Sequence, residues 1–217
     1  MPRIVNHDQR RREICDVLLT IVAETGINSA TIRNVAERSG WSTGVIVHYF
    51  RDRKDLLHGG LRRAAELLSE HNSRVLATLD GLQALEQLLE GSIPLDSRRL
   101  ALSRIFFFFF VEAMTDIELR KEVTEYLVSW RKSVGLALKR AQELGEVSPD
   151  INRREIAKDL TGLVDGMGLH ALLDDAVLTR LQEQSPVRFW LRRLVAQPGA
   201  ARIQLTGPAE TTGATVP

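Results

Sequence analysis

Residues 31–57 read TIRNVAERSGWSTGVIVHYFRDRKDLL, and this stretch decides the fold. Thr31 suits an N-cap, and Ile32, Val35 and Ala36 recur at helical spacing behind it, which predicts a short helix to about Arg38. Ser39-Gly40 interrupts the pattern, with Gly40 free to take the positive φ of a tight turn. Ser42 can cap a second helix from Thr43 to about Phe50, with Val45, Ile46 and Tyr49 or Phe50 available to pack inward and Trp41 as an apolar anchor. Asp52 then reads as the N-cap of a third, longer helix, with Asp55 in the capping-box place.

Two short helices around a glycine-containing turn, the second opening on small polar residues, form the helix-turn-helix pattern. The chemistry suits DNA. Ser42, Thr43 and Gly44 occupy the end of the second helix that reaches base edges in a major groove, where small side chains allow close approach. Free N–H groups at that terminus attract phosphate. His48 and Tyr49 can donate to phosphates, and Arg33, Arg38, Arg51, Arg53 and Lys54 add positive charge nearby.

TIRNVAERSGWSTGVIVHYF followed by RDRKDLL resembles the DNA-binding domain of the TetR family of bacterial repressors. The run STGVIVHYFRDRKDLL is especially similar to the branch that contains the choline-sensing regulator of glycine-betaine synthesis. The DNA-contacting set so implied is Thr31, Arg33, Ser42, Thr43, Gly44, His48, Tyr49, Arg53 and Lys54. Two positions depart from the family pattern. Val47 replaces a tyrosine or small polar residue that meets a phosphate, and Arg53 replaces a lysine while keeping its charge.

Composition bounds the alternatives. The 217-residue chain is 44% apolar and 26% charged, an ordinary globular balance, with a net charge of only +1. The charge is unevenly spread: residues 1–63 carry 11 Lys/Arg against 7 Asp/Glu, net +4, so the positive portion is the one with the helix-turn-helix. A lone Cys15 excludes an intrachain disulfide and agrees with a reducing cytoplasm; its apolar neighbours Val17, Leu18 and Ile21 suggest a buried packing role. No signal core opens the chain, and the apolar run Ile105–Val111 falls far short of the ~20 residues of a membrane span. There is no Ser/His/Asp set, HExxH motif, glycine-rich phosphate loop or Cys/His cluster, so no enzyme, metal site or cofactor is expected.

Periodicity predicts an all-α chain of about nine helices. A first helix runs from Asp8 to about Thr25, preceded by an arm whose Pro2 and Arg3, with Arg10, Arg11 and Arg12, either reach DNA or form a solvated basic face. The helix from Asp52 continues to about Leu79 and links the two regions; His58 and His71 along it read as solvated or hydrogen-bonded. Leu82–Glu90 forms a short helix. The next carries five successive phenylalanines, Phe106–Phe110, which cover every helix face and so demand burial on most sides. Further helices run from Asp116 to about Gly145, from about Asn152 through Asp165–Leu173, and from Ser185-Pro186 onward. Asp174-Asp175 reads as capping or a solvated turn. Gly166 and Gly168 suggest close approach of another backbone, since glycine in a helix costs roughly 1 kcal/mol relative to alanine.

The segments from Ser103 to Val123, from Leu136 to Ile151 and from Gly162 to Asp175 resemble the effector-binding domain of the same betaine-regulator branch. That resemblance implies a homodimer built on the last two long helices, with Gly166, His170, Phe189, Trp190 and Leu194 at the interface. The expected organisation is a DNA-binding domain over 8–57, an effector-binding and dimerisation domain over 58–196, and a disordered tail over 198–217. Candidate effector residues are Phe107, Phe110, Met114, Trp130, Asp165 and His170. Aromatic rings with a carboxylate can cage a quaternary ammonium such as choline, and a fatty ligand fits a phenylalanine wall equally well. The expected function is a cytoplasmic, ligand-responsive repressor released from a palindromic DNA operator by a small molecule; the alternatives are an architectural DNA-binding protein without a ligand and, behind it, an enzyme.

Overall fold

The computed structural model describes residues 7–195, so Pro2, Arg3 and the tail expected over 198–217 lie outside the described residues. The described chain is all-α. Helix α1 spans His7–Thr25, and a 3-10 turn at Ile27–Ser29 leads into α2 (Ile32–Ser39) and α3 (Thr43–Tyr49). Then come α4 (Arg53–Thr78), α5 (Gly81–Gly91), α6 (Ser97–Glu112), α7 (Ile117–Glu143) and α8 (Arg153–Leu173). The last two are α9 (Asp175–Glu183) and α10 (Val187–Val195).

Local caps set most of these boundaries. Thr31 accepts from the Asn34 N–H, Ser42 from Val45 and Asp52 from Asp55, each closing the first turn of α2, α3 or α4. Gly40 ends α2 at φ 72°, in the left-handed region that a side chain would resist. Asp96, Asp116, Asn152 and Asp174 cap α6, α7, α8 and α9 in the same way. The α9 helix raises the expected count of about nine to ten among the described residues. Asp174 does cap there, but it opens a helix of nine residues rather than a turn, held by the burial of Leu181.

Two apolar clusters hold the helices together. One joins α1–α4 to α6 and the start of α7 through residues such as Leu18, Ile46, Phe50, Leu56, Ile105 and Phe109. The other joins the end of α4 to α5, α7, α8 and α10 around Leu85, Leu88, Trp130, Val134 and Leu138. The phenylalanine run behaves as its all-round apolarity requires: Phe106 and Phe109 are buried, and Phe107, Phe108 and Phe110 half-buried. Helix α4 runs unbroken through residues 57 and 58, so no linker stands at the expected domain boundary.

The seam between α4 and the helix-turn-helix is unusually close. A methyl group on Gly60 would come within 2.8 Å of Leu18 Cδ2, and one on Gly59 would overlap the Phe50 ring and stand 3.2 Å from Cys15 Sγ. Polar ties flank this contact. Arg63 on α4 meets Asp16 on α1 at 2.7 Å, and Arg104 on α6 donates to the Val22 and Ala23 carbonyls at the end of α1. Lys54 pairs with Asp116, the cap of α7, at 3.6 Å. Burial pushes the Cys15 thiol up to about 12, which keeps it protonated and unreactive in this packing role.

Gly59→Ala should lower unfolding stability by ~1–3 kcal/mol, because the added methyl has no room against Phe50. Gly135→Ala on α7, where a methyl meets nothing within 4 Å, should instead stabilise by up to about 1 kcal/mol. Urea denaturation of both variants measures the contrast.

Candidate nucleic-acid interface and effector cleft

Helix α3 divides sharply into two faces. Ile46 and, just past its end, Phe50 are fully buried, which fixes the helix on the three-helix core. Ser42, Thr43, Gly44 and His48 are exposed, and Tyr49 is half-buried. This outward row starts at the helix N-terminus and runs along its length, the arrangement that enters a major groove. Val45 departs from the sequence expectation. Its apolar character predicts an inward position, yet it is 38% exposed, and Val47 is 47% exposed. A seven-residue helix resting on one side can bury only about a third of its residues, so the two valines face out. They supply apolar contact suited to thymine methyl groups. Val45 is the interface candidate that sequence reasoning missed; only the burial of Ile46 and Phe50 reveals which face is the outer one.

The charged candidates separate by what already holds them. Arg33 is exposed at the start of α2, while Thr31 spends its hydroxyl oxygen on the cap. Arg53 donates to the Ala30 and Ile27 carbonyls at 2.9 Å each, so it clamps the 3-10 turn to α4 with two of its donors. Lys54 bridges to Asp116. The basic run of α1 is engaged within the protein. Arg10 lies over the Trp41 ring, Arg12 pairs with Glu66, and Arg11 stacks on Phe50 and donates to the Tyr49 carbonyl at 2.8 Å. Arg11 thus holds the end of α3, a positioning role that its sequence neighbours did not suggest. His7, His48 and Tyr49 form a ring cluster with centroids 5.0–6.0 Å apart.

The effector candidates do not all converge. Phe107, Phe110 and Asp165 line one small cleft, together with Phe106, Tyr126 and Gly168. Its free volume is about 30 Å³, room for about one water. Trp130 is buried but lines a different, larger cavity. Met114 is 69% exposed beyond the end of α6, and His170 is exposed on α8; neither lines either space. Nearness in sequence to Phe110 and Asp165 suggests both for the cavity, but a helix turns successive residues to different sides, and these two face solvent. His58 and His71 also meet ordinary neighbours: His58 stands edge-on to Phe109, and His71 approaches the Gln87 carbonyl. Among the described residues no cluster could hold a metal ion, and no helix is long and apolar enough to cross a membrane.

Asp165 is the most perturbed carboxylate of this region. Burial raises its pKa from 3.8 to about 6, against a partial lowering by Arg131, and it has no ion-pair partner among the described residues. Burial likewise raises the Tyr126 hydroxyl. The two glycines beside Asp165 face different ways. A methyl group on Gly168 would stand 3.4 Å from the Phe107 ring, so the neighbour here is a side chain rather than another backbone. Gly166 and Gly162 meet nothing within 4 Å. They lie on one exposed side of α8 with Leu169, His170 and Leu173, and Phe189 is exposed on α10. Trp190 is half-buried beside Phe189, its Nε1 donor without a partner among the described residues. Leu194 lies in α10, but its side chain is outside the described residues.

A raised carboxyl pKa means that the native state holds its proton more tightly than the unfolded chain between about pH 4 and 6. The stability this proton contributes is present at low pH and is lost as pH rises through 6. Asp165→Asn, neutral at every pH, should therefore match the wild type near pH 4 and exceed it by about 3 kcal/mol above pH 7, read by urea unfolding across that range.

Comparison with known proteins adds a second line of observation. A family model described as "Bacterial regulatory proteins, tetR family" matches residues 14–59, and one described as "BetI-type transcriptional repressor, C-terminal" matches residues 81–196. The HTH-type transcriptional regulator BetI of Klebsiella pneumoniae (strain 342) is 28% identical over 204 residues, covering 91% of this chain and 100% of that relative. The regulator of the same name from Escherichia coli (strain K12) is 28% identical over 197 residues, covering 88% and 96%. A putative transcriptional regulator from Saccharomonospora viridis, solved in complex with choline, shares the fold with a TM-score of 0.68 at 23% identity, covering 81% of this chain and 95% of its own. A putative TetR-family regulator from a Rhodococcus species aligns with a TM-score of 0.69 at 22% identity, covering 87% and 100%.

Proposed function

The chain belongs to the TetR family of bacterial regulatory proteins, with a BetI-type C-terminal domain, and on that premise we propose that it represses transcription from a two-fold-symmetric operator and is released by a small cationic effector. Relatives and fold neighbours are transcriptional regulators, and the chain is a regulator rather than an enzyme. The observation that carries the DNA reading is the outward row of α3, in which Thr43, Gly44, Val45 and His48 are exposed on a helix whose other side is locked in the core. Arg33 at the start of α2 adds phosphate affinity, and Arg11 keeps the far end of α3 in place.

The dimer that a two-fold operator requires forms through α8 and α10. Leu169, Leu173 and Phe189 offer apolar contact, and Gly162 and Gly166 let a partner helix approach. The effector is an organic cation caged by Asp165, Phe107, Phe110 and Tyr126 in a cleft that opens around it. The choline held by the Saccharomonospora viridis neighbour supports this class of ligand. Its binding shifts α4, which reaches from the cleft's surroundings to Phe50 and so couples ligand to the spacing of the two α3 helices. An architectural protein without sequence preference is the reading this one displaces.

Footprinting on the DNA upstream of its own gene should protect two half-sites one helical turn or a multiple apart. Thr43→Ala and His48→Ala should each weaken that binding by about 1–3 kcal/mol without altering the unfolding midpoint. Salt-sensitive protection with no sequence preference would favour the architectural reading instead. In calorimetry, choline should bind more tightly at pH 7.5 than at pH 5, because Asp165 carries its charge only above its raised pKa of about 6, and Asp165→Asn should abolish the heat.

A further inference from the structure

The face of α1 that meets the end of α3 carries a residue whose placement the helix-turn-helix pattern does not explain. Arg11 anchors that face: its guanidinium lies 4.6 Å from the Phe50 ring centroid and donates to the Tyr49 carbonyl at 2.8 Å. His7 stands four residues earlier, at the start of α1 and on the same side of it. It reaches two rings of α3. The His7 centroid is 6.0 Å from that of His48 and 5.7 Å from that of Tyr49, and those two are 5.0 Å apart. The three rings therefore close a triangle across two helices. The sequence marks His48 and Tyr49 for DNA contact and leaves His7 without a role.

The polar atoms of this triangle are uncommitted. Among the described residues, neither imidazole nor the Tyr49 hydroxyl takes part in a hydrogen bond, and no carboxylate pairs with either imidazole. Asp8 follows His7 in sequence, so the helix turns its carboxylate to a different side. Arg10 is drawn to Glu13 and the Trp41 ring, and Arg51, beyond α3, to Asp55. Packing alone would bury rings that cluster in this way, yet His7 and His48 are exposed, and His48 belongs to the outward row that begins at Thr43. Two imidazolium charges at this spacing repel each other, and an anion between them replaces that repulsion with two attractions.

We propose that His7, His48 and Tyr49 form one clamp for a DNA backbone phosphate, built across α1 and α3, and that closing it on DNA takes up a proton. The imidazole N–H groups and the Tyr49 hydroxyl donate to the phosphate oxygens. A phosphate favours the charged imidazolium, so binding draws a proton from solvent in the range where histidine titrates, between about pH 5 and 8. DNA affinity therefore rises as pH falls through that range and declines as pH rises. The clamp reads no base edges; it sets the register in which Thr43 and Gly44 face the groove. Of the regulator reading, only the DNA-facing role of α3 is needed here, not repression, two-fold symmetry or an effector.

The test is fluorescence anisotropy of the full chain on two labelled duplexes of equal length, one from upstream of its own gene and one of random sequence, at pH 6 and pH 8. His7→Gln should weaken binding to both duplexes by the same factor, roughly 3–10-fold at pH 6 and less at pH 8. At pH 6 it should also reduce the slope of log affinity against log salt by roughly one, the mark of a lost charged contact to phosphate. The unfolding midpoint in urea should not move, since His7 is exposed. Unchanged affinity of His7→Gln, or a loss equal at the two pH values with the salt slope intact, would overturn the clamp. Equal binding of the two duplexes by the wild type would unseat the regulator reading and leave the His7 comparison readable on both. No binding to either duplex would overturn both.

Discussion

The close approach of α4 to α1 and to Phe50, at Gly59 and Gly60, is the constraint on which the rest depends. Two adjacent glycines inside a long helix sacrifice helix propensity. What they gain is backbone-level contact with Leu18, Cys15 and the Phe50 ring, and through Phe50 with the base of α3. A helix held off by side chains could slide over its neighbour; one seated this closely must carry its neighbour with it. The same helix is tied by Arg62 to α7 and by Arg63 to α1, so its position is decided jointly by the DNA-reading unit and the ligand-binding bundle.

Much of this architecture is legible in the sequence because its determinants are local. The caps at Thr31, Ser42 and Asp52, the positive-φ turn at Gly40 and the breaks between helices each depend on a few adjacent residues. Helix α9 is hidden from such reasoning because it is short, mixed in polarity, and rests on one buried side chain, Leu181. Periodicity needs several apolar repeats to rise above noise, and nine residues supply too few.

The sites are legible only where one helix face settles the matter. The polar start of α3 can be read directly, but the outward turn of Val45 depends on where Ile46 and Phe50 are buried. Phe107, Phe110 and Asp165 meet because α6 and α8 cross; Met114 and His170 belong to the same stretches of chain but face solvent. Nothing in a single sequence tells which side of an all-apolar helix meets which neighbour. Likewise the arginines of α1 look like a DNA-seeking patch until their partners Trp41, Tyr49 and Glu66 are in view.

The five consecutive phenylalanines of α6 carry a mechanical consequence. In an ordinary amphipathic helix, rotation about the axis drives polar groups into the core, so orientation is fixed by solvation. Around the band Phe106–Phe110 every direction presents the same phenyl ring, and a rotation exchanges one for another at constant transfer free energy. Only shape resists, and ring shape is the part of packing that flat, offset-stacking groups adjust most readily. The rotational setting of helix α6 is therefore fixed by ring shape within the band and, one residue before Ile105, by Arg104, which holds the last carbonyls of α1.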